Sequence, residues 1–101
     1  MTNPFQYQFE WDPVKAQQNL RDHSIAFERA ATVFWDPHAF SEFDEEHSQD
    51  EDRWIILGID RTGSLLVVCH TYREETAVTA RIRLISARKA TRNETRQYTR
   101  R

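Results

Sequence analysis

The segment that most constrains the fold lies near the C-terminal end, at residues 80–92, which read ARIRLISARKATR. Apolar β-formers alternate with Arg81 and Arg83, so a strand here would carry both arginines on one face. The sequence then predicts a helix, because Thr91 and Glu94 have the spacing of a capping box. A strand, a basic junction and a basic helix in this order make a surface suited to binding phosphate.

The net charge of −2 conceals a division along the chain. Residues 76–101 hold eight Lys or Arg and one acid, whereas residues 1–75 hold six bases and fifteen acids. The C-terminal part therefore carries +7 and the remainder −9, which predicts two partner surfaces. A solvated edge strand is the plainer interpretation of a charge run in general, but this division favours an anionic partner for the basic end.

Length and composition predict one folded domain over residues 1–101. Hydrophobic residues make up 39% of the chain and aromatic residues 12%, which is typical of a folded protein. No apolar run approaches the roughly 18 residues of a membrane span. Residues 1–5 have no positive region followed by an apolar one, so we expect no secretion signal and a cytoplasmic protein. The single cysteine, Cys69, has apolar neighbours and is expected to be a buried small hydrophobe.

The first third of the chain predicts one strand and two helices. Aromatic residues alternate strictly with polar ones from Phe5 to Trp11, as in a strand with one buried face. Asp12 followed by Pro13 begins a helix, since the aspartate accepts from free amides and proline at the first helical position loses no bond. The 3.6-residue period of apolar residues predicts a second helix over residues 25–35.

The remaining two thirds predict an antiparallel meander and a last helix. Residues 44–52 hold six acids in nine residues, and like charges at this density predict an exposed loop. Residues 73–76 are expected to turn the chain. The whole pattern predicts an α+β fold: an antiparallel sheet of about four strands plus an N-terminal strand, two N-terminal helices on one face and a C-terminal helix. The meander strands are predicted at 39–43, 53–59, 65–72 and 77–85, and the last helix at 91–100.

Several segments resemble the BrnT-type toxins of type II toxin–antitoxin systems. The FEWDP run at residues 9–13 is similar to the opening signature of that family, and the ISARKA run at residues 85–90 is the most specific part of the likeness. The resemblance extends from Phe9 to about Tyr98. Further matching residues are Lys15, Asn19, Leu20, His23, the helix at 27–34 and the strand at 66–71.

The resemblance implies a RelE-like ribonuclease fold and an RNA-cleaving toxin that depresses translation. It also implies a BrnA-type antitoxin with a ribbon-helix-helix DNA-binding part, in a complex that represses its own promoter. Because that part is an obligate dimer, we expect a heterotetramer of two toxins and two antitoxins that binds promoter DNA only through the antitoxin. Ser24 departs from the pattern, since the family usually has glycine there, and the hairpin around residues 74–79 is longer than expected.

RNA cleavage by the 2′-hydroxyl needs a base, an acid and cations for the phosphorane. Arg83 and Arg88 are the expected catalytic cations, because arginine forks match phosphate oxygens and stay charged. Strict alternation places Arg88 opposite Arg83, so the pair needs a β-bulge or the strand end to re-aim it. His70 is the candidate for proton transfer, with a structural strand histidine as an equal alternative. The basic side chains expected to bind substrate are Arg81, Lys89, Arg73 and Lys15.

Two rival functions use the same basic surface: a non-catalytic nucleic-acid-binding module and a protein-interaction module. The sequence carries no helix-turn-helix signature and no aromatic-rich RNA-recognition motif. No cofactor or metal is expected, since the carboxylates and His47 of the acidic loop lack a fixed ligand spacing. The neighbouring reading frame would discriminate, because a small partner with a ribbon-helix-helix pattern supports the toxin.

Overall fold

A mixed sheet of six strands forms the centre of the computed structural model, which describes residues 5–100. The first four residues, on which the expectation about a secretion signal partly rests, and Arg101 lie outside the described residues. Neighbouring strands follow the order β1-β6-β4-β3-β2, and β5 also pairs with β6. The elements are β1 (Gln6–Glu10), α1 (Pro13–His23), α2 (Phe27–Ala31), β2 (Phe40–Phe43), β3 (Trp54–Ile59), β4 (Leu65–His70), β5 (Arg73–Thr76), β6 (Thr79–Lys89) and α3 (Arg92–Thr99).

The α+β class is confirmed, and the sheet differs from the prediction in two details, since residues 73–76 and residues 86–89 both belong to strands. Residues 73–76 form β5 instead of a turn, pairing with β6 through Arg73 and Arg81. All four residues of β5 are exposed, and charged side chains are no obstacle to an exposed edge strand. The N-terminal strand β1 runs parallel to β6, whereas the other pairings are antiparallel. The second helix also ends early, continuing as a 3-10 turn over Thr32–Trp35.

The main hydrophobic core lies between the first two helices and one face of the sheet. Phe27 and Val33 are fully buried from the helical side, and Leu66 and Ile82 are fully buried from the sheet. Gly58 permits close packing there, because a Cβ atom at this position would lie 2.9 Å from Ala39 Cβ. The arginine-bearing face of the sheet is thus left without helix cover apart from α3. No helix within residues 5–100 is long and apolar enough to cross a membrane.

Helix α1 is fixed at both ends and tied to β6 by one buried side chain. Asp12 caps its start by accepting from the Val14 amide at 2.9 Å, as predicted. Ser24 ends it in the left-handed region with φ of 58°, the conformation that a glycine would adopt without strain. The buried Asn19 carboxamide accepts from the Ala87 amide at 3.0 Å and donates to the Ala87 carbonyl at 2.9 Å. This side chain therefore pairs with the edge of β6 as a neighbouring strand would.

Candidate functional site

A β-bulge in β6 decides which side chains share the open face. Opposite β4, Cys69 pairs with Ser86 and His70 pairs with Leu84, so Ile85 is an extra residue. The alternation changes phase at this point. Ala87 is buried on the helical side, and Arg88 emerges on the open side with Arg81 and Arg83. The bulge therefore turns the Arg88 side chain to the face that carries Arg81 and Arg83, as the shared arginine face requires.

Arg81 is held by acceptors on both neighbouring strands. Its guanidinium donates to Glu75 at 2.9 and 3.1 Å, to Glu10 at 3.0 Å and to Gln8 at 3.1 Å. The Glu75 and Glu10 carboxylates hold the pKa of Arg81 above its usual value. Arg73 reaches the same Glu75 carboxylate at 3.1 Å. Both residues are thus brought to one place, and their charges are already compensated.

Arg83 is paired with a carboxylate of the acidic loop. Glu51 accepts from its guanidinium, and both side chains are well exposed, at 38% and 40%. The two residues line an open cavity of about 280 Å³ together with Arg73 and Arg81. Lys15 lines a second cavity, of about 290 Å³, on the other side of Arg83. The acidic loop is thus exposed over most of its length, as predicted, and contacts the basic face through Glu51.

Arg88 is paired with the capping glutamate of α3. Its two terminal nitrogens donate to the two oxygens of Glu94 at 2.8 and 2.9 Å, a bidentate arrangement. These bonds lower the pKa of Glu94 to about 2 and raise the pKa of Arg88. Glu94 also accepts from the Thr91 amide, which completes the predicted capping box. Lys89 pairs with Leu66 of the buried face, so its side chain leaves the strand end away from Arg88.

His70 does not join the arginines. Its residue is 2% exposed, its ring packs edge-on against Phe34 with centroids 4.9 Å apart, and its Nδ1 donates to the Thr71 carbonyl at 3.0 Å. Burial lowers the pKa of His70. The structure therefore favours the structural alternative for His70, because the sheet separates it from a substrate on the open face. Alternation along β4 predicts this burial, because His70 lies on the same face of the strand as Leu66 and Val68.

Sequence reasoning missed two contributions to this face. Arg53 lines both the cavity beside Lys15 and a third cavity of about 410 Å³ beside Arg88. Alternation predicts this placement, because Arg53 lies two residues before Ile55, whose side chain is on the open side of β3. The second omission is His47, whose Nδ1 lies 2.9 Å from Asp44 Oδ2 at the rim of the third cavity. Cys69 lines this cavity as well and is half-buried, not enclosed as expected.

The open face offers arginine cations, each of which binds a carboxylate that another anion can replace. Within residues 5–100, no group of three or more His, Cys, Asp or Glu side chains is placed to hold a metal ion. Arg83 and Arg88 each hold a carboxylate in a geometry that a phosphate oxygen can also satisfy. The face is therefore suited to an anionic ligand with more than one phosphate.

Comparison with known proteins identifies a family and a solved structure of similar fold. The family described as "Ribonuclease toxin, BrnT, of type II toxin-antitoxin system" matches residues 11–94. The crystal structure of the Brucella abortus ribonuclease toxin BrnT is 17% identical, with a TM-score of 0.57, and the alignment covers 86% of this chain and 100% of that one. At this identity the structural likeness concerns the fold. A comparison with curated proteins found no match. The family match includes all of β6.

Proposed function

Because this chain belongs to the BrnT family of ribonuclease toxins of type II toxin–antitoxin systems, we propose that it cleaves RNA on the open face of its sheet, with Arg83 and Arg88 holding the phosphate. The bulge at Ile85 carries this proposal, because it brings both arginines to one side. Each guanidinium already binds a carboxylate, and a phosphate can exchange with a carboxylate at such a fork.

The other basic residues hold the RNA backbone on either side of the reacting phosphate. Arg81 and Arg73 border the cavity beside Arg83, and Lys15 approaches Arg83 from α1. Lys89 adds charge at the end of β6, from its other side. The reaction is metal-independent in this proposal, since arginine side chains can carry the charge that develops on the phosphorane. The fold is of the RelE-like type, with the catalytic cations on the sheet.

The biological output is inhibition of translation and growth in the cytoplasm, relieved by a BrnA-type ribbon-helix-helix antitoxin in a 2:2 heterotetramer. The charge division supports this arrangement. Residues 76–101 carry +7 and attract an acidic partner, whereas the −9 of residues 1–75 repels duplex DNA. Promoter DNA is bound only through the antitoxin, and interfacial charge makes the association rate salt-dependent.

The proposal is tested with Arg83→Ala and Arg88→Ala, each compared with Arg61→Ala, a control in the loop between β3 and β4. Loss of a charge-assisted phosphate contact costs about 1.5–3 kcal/mol, so each site variant should lose roughly 10- to 150-fold in cleavage rate. Both should relieve growth inhibition with unchanged circular dichroism, and the control should remain toxic. Cleavage by the unmodified protein should persist in EDTA.

Three results would contradict the proposal, and a fourth would change one part of it. Full toxicity of both folded site variants would place the active site elsewhere. RNA binding without cleavage, or tight sequence-specific binding to duplex DNA by this chain alone, would favour a non-catalytic nucleic-acid-binding module. If EDTA abolishes cleavage and one divalent ion restores it, only the metal independence of the reaction is refuted.

A further inference from the structure

A cavity of about 410 Å³ lies on the open face between the acidic loop and the C-terminal part of β6. Arg88 and Ser86 line it from β6, and Arg53 lines it from the start of β3. His47 and Asp44 line it from the acidic loop. The cavity therefore places an imidazole and a carboxylate opposite one of the arginines assigned to the phosphate.

The imidazole of His47 is oriented by Asp44. Its Nδ1 lies 2.9 Å from Asp44 Oδ2 and 3.1 Å from Oδ1, so this nitrogen donates its hydrogen to the carboxylate. The Asp44 side chain is 11% exposed and that of His47 is 60% exposed. With Nδ1–H fixed in this way, the lone pair of the neutral ring is on Nε2, on the exposed end of the side chain.

The turn that carries these two residues is closed by its own hydrogen bonds. The Asp44 amide donates to the Arg53 carbonyl at 2.8 Å, and the Arg53 amide donates to Ser48 Oγ at 3.0 Å. The Ser48 hydroxyl in turn donates to the Asp44 carbonyl. The two ends of the acidic loop are thereby joined at the start of β3, which fixes the position of Asp44 against the sheet.

We propose that His47, oriented by Asp44, is the group that removes the 2′-hydroxyl proton in this cavity, an inference that rests on the proposed function. His47 Nε2 takes the proton, the 2′-oxygen forms a bond to phosphorus, and the bond from phosphorus to the 5′-oxygen breaks. The 5′-oxygen leaves with a proton from water, and the imidazolium returns its proton to water. The products are a 2′,3′-cyclic phosphate and a 5′-hydroxyl, and Arg88 compensates the charge of the phosphorane.

The experiment measures cleavage by His47→Ala, with His23→Ala as the matched control on the exposed end of α1. General-base catalysis contributes at least about 100-fold, so His47→Ala should lose on that order and His23→Ala should stay near the unmodified rate. Added imidazole should restore part of the activity of His47→Ala, which a purely structural role for the side chain would not allow. Asp44→Ala should lower kcat more than it changes KM.

The pH–rate profile gives a second readout. The unmodified protein should show an acid limb that His47→Ala lacks. The other titratable or charged groups lining the cavity are Asp44, Glu46, Arg53, Cys69 and Arg88. The variant keeps all of them, so a limb lost in it belongs to His47.

The outcomes separate this inference from the proposed function. If His47→Ala cleaves like the unmodified protein while Arg88→Ala does not, the inference is wrong and the ribonuclease proposal stands. If His47→Ala is impaired, is not rescued by imidazole and keeps the acid limb, His47 has a structural role and the inference is also wrong. Absence of cleavage by the unmodified protein would overturn both.

Discussion

The two halves of β6 present arginines to the same side of the sheet but are built differently. Residues 79–83 pair with β1, and residues 79–81 also pair with β5 on the other side. Beyond the bulge at Ile85, residues 86–89 have β4 on one side, and on the other the side chain of Asn19 takes the place of a strand. The first half therefore has backbone ladders on both sides, whereas the second has a ladder on one side and one buried amide on the other.

The ion pairs divide the arginines differently, because Arg83 belongs to the first half but is paired outside the sheet. Arg81 is paired with carboxylates on β1 and β5, which belong to the sheet itself. Arg83 is paired with Glu51 of the acidic loop, and Arg88 is paired with Glu94 of α3. A partner on a loop or a terminal helix can be displaced at less cost than one on a paired strand. Arg81 is therefore held mainly within the sheet, whereas the carboxylates on Arg83 and Arg88 can be displaced.

The largest expected effect comes from removing the Asn19 carboxamide, which takes the position of a neighbouring strand beside β6. Asn19→Ala leaves the Ala87 amide and carbonyl without their partner, and also the Ile25 carbonyl, which accepts from Asn19 at 2.9 Å. An unsatisfied buried polar group costs about 1–3 kcal/mol, so the free energy of unfolding should fall by about 3 kcal/mol. Urea unfolding of Asn19→Ala against the unmodified protein measures this loss.

Gln18→Ala is the control for this change, because Gln18 is exposed on the same helix. Native-state hydrogen exchange sharpens the comparison between the two halves. In Asn19→Ala the amides of residues 86–89 should exchange faster, while those of residues 81–83 should keep their relative protection. Equal loss of protection in both halves, or a stability equal to that of Gln18→Ala, would refute the distinction.

A smaller effect is expected when the carboxylate on Arg83 is neutralised. A phosphate that binds Arg83 must displace Glu51, and an exposed ion pair is worth up to about 1 kcal/mol. Glu51→Gln should therefore bind RNA roughly fivefold more tightly. The measurement is a titration with an RNA whose 2′-hydroxyls are methylated, so that binding is observed without cleavage.

Asp50→Asn makes the same change of charge one residue earlier in the acidic loop. If the gain comes from freeing Arg83, Asp50→Asn should leave the RNA affinity near that of the unmodified protein. Equal gains in the two variants would show a general charge effect, and would remove the distinction between a displaceable and a fixed arginine.

Local patterns in the sequence were sufficient to predict most of the elements and the face that Arg81 and Arg83 share. The Asp12 cap, the Thr91 capping box and the alternation of Arg81 and Arg83 all depend on neighbours within a few residues. The requirement for a bulge before Arg88 also followed from alternation alone. Its position at Ile85 did not, because it is set by the register against β4.

The misplaced and missed residues depend on contacts between distant parts of the chain. His70 was assigned by its chemistry, but the packing of Phe34 against it decides its burial. The sequence predicts Glu51 only as part of an exposed acidic loop, because its partner Arg83 lies 32 positions away. Asn19 belongs to the family signature, but its hydrogen bonds to Ala87 form only when α1 packs against β6. Periodicity carries no information about such pairs.

The smallest expected effect concerns the pair that joins the second half of β6 to α3. This pair is Arg88 and Glu94, and the bonds between them lower the folded-state pKa of Glu94 to about 2, from an ordinary value of 4.5. A carboxyl group whose pKa is lower in the folded state stabilises the fold at pH values above its unfolded-state pKa. This contribution is lost as pH falls from about 4.5 towards 2. Because Glu94 is partly exposed, we expect about 1 kcal/mol over this window.

The measurement is urea unfolding at pH 5 and pH 2.5 for the unmodified protein and Glu94→Gln. The glutamine can still accept from the Thr91 amide and from one Arg88 nitrogen, so the cap persists while the titration is removed. The stability lost between the two pH values should be smaller in Glu94→Gln by about 1 kcal/mol. Glu45→Gln, an exposed carboxylate change in the acidic loop, should lose as much as the unmodified protein. Equal losses in all three proteins would mean that Arg88 is not held by Glu94, and α3 would then have no electrostatic tie to the substrate face.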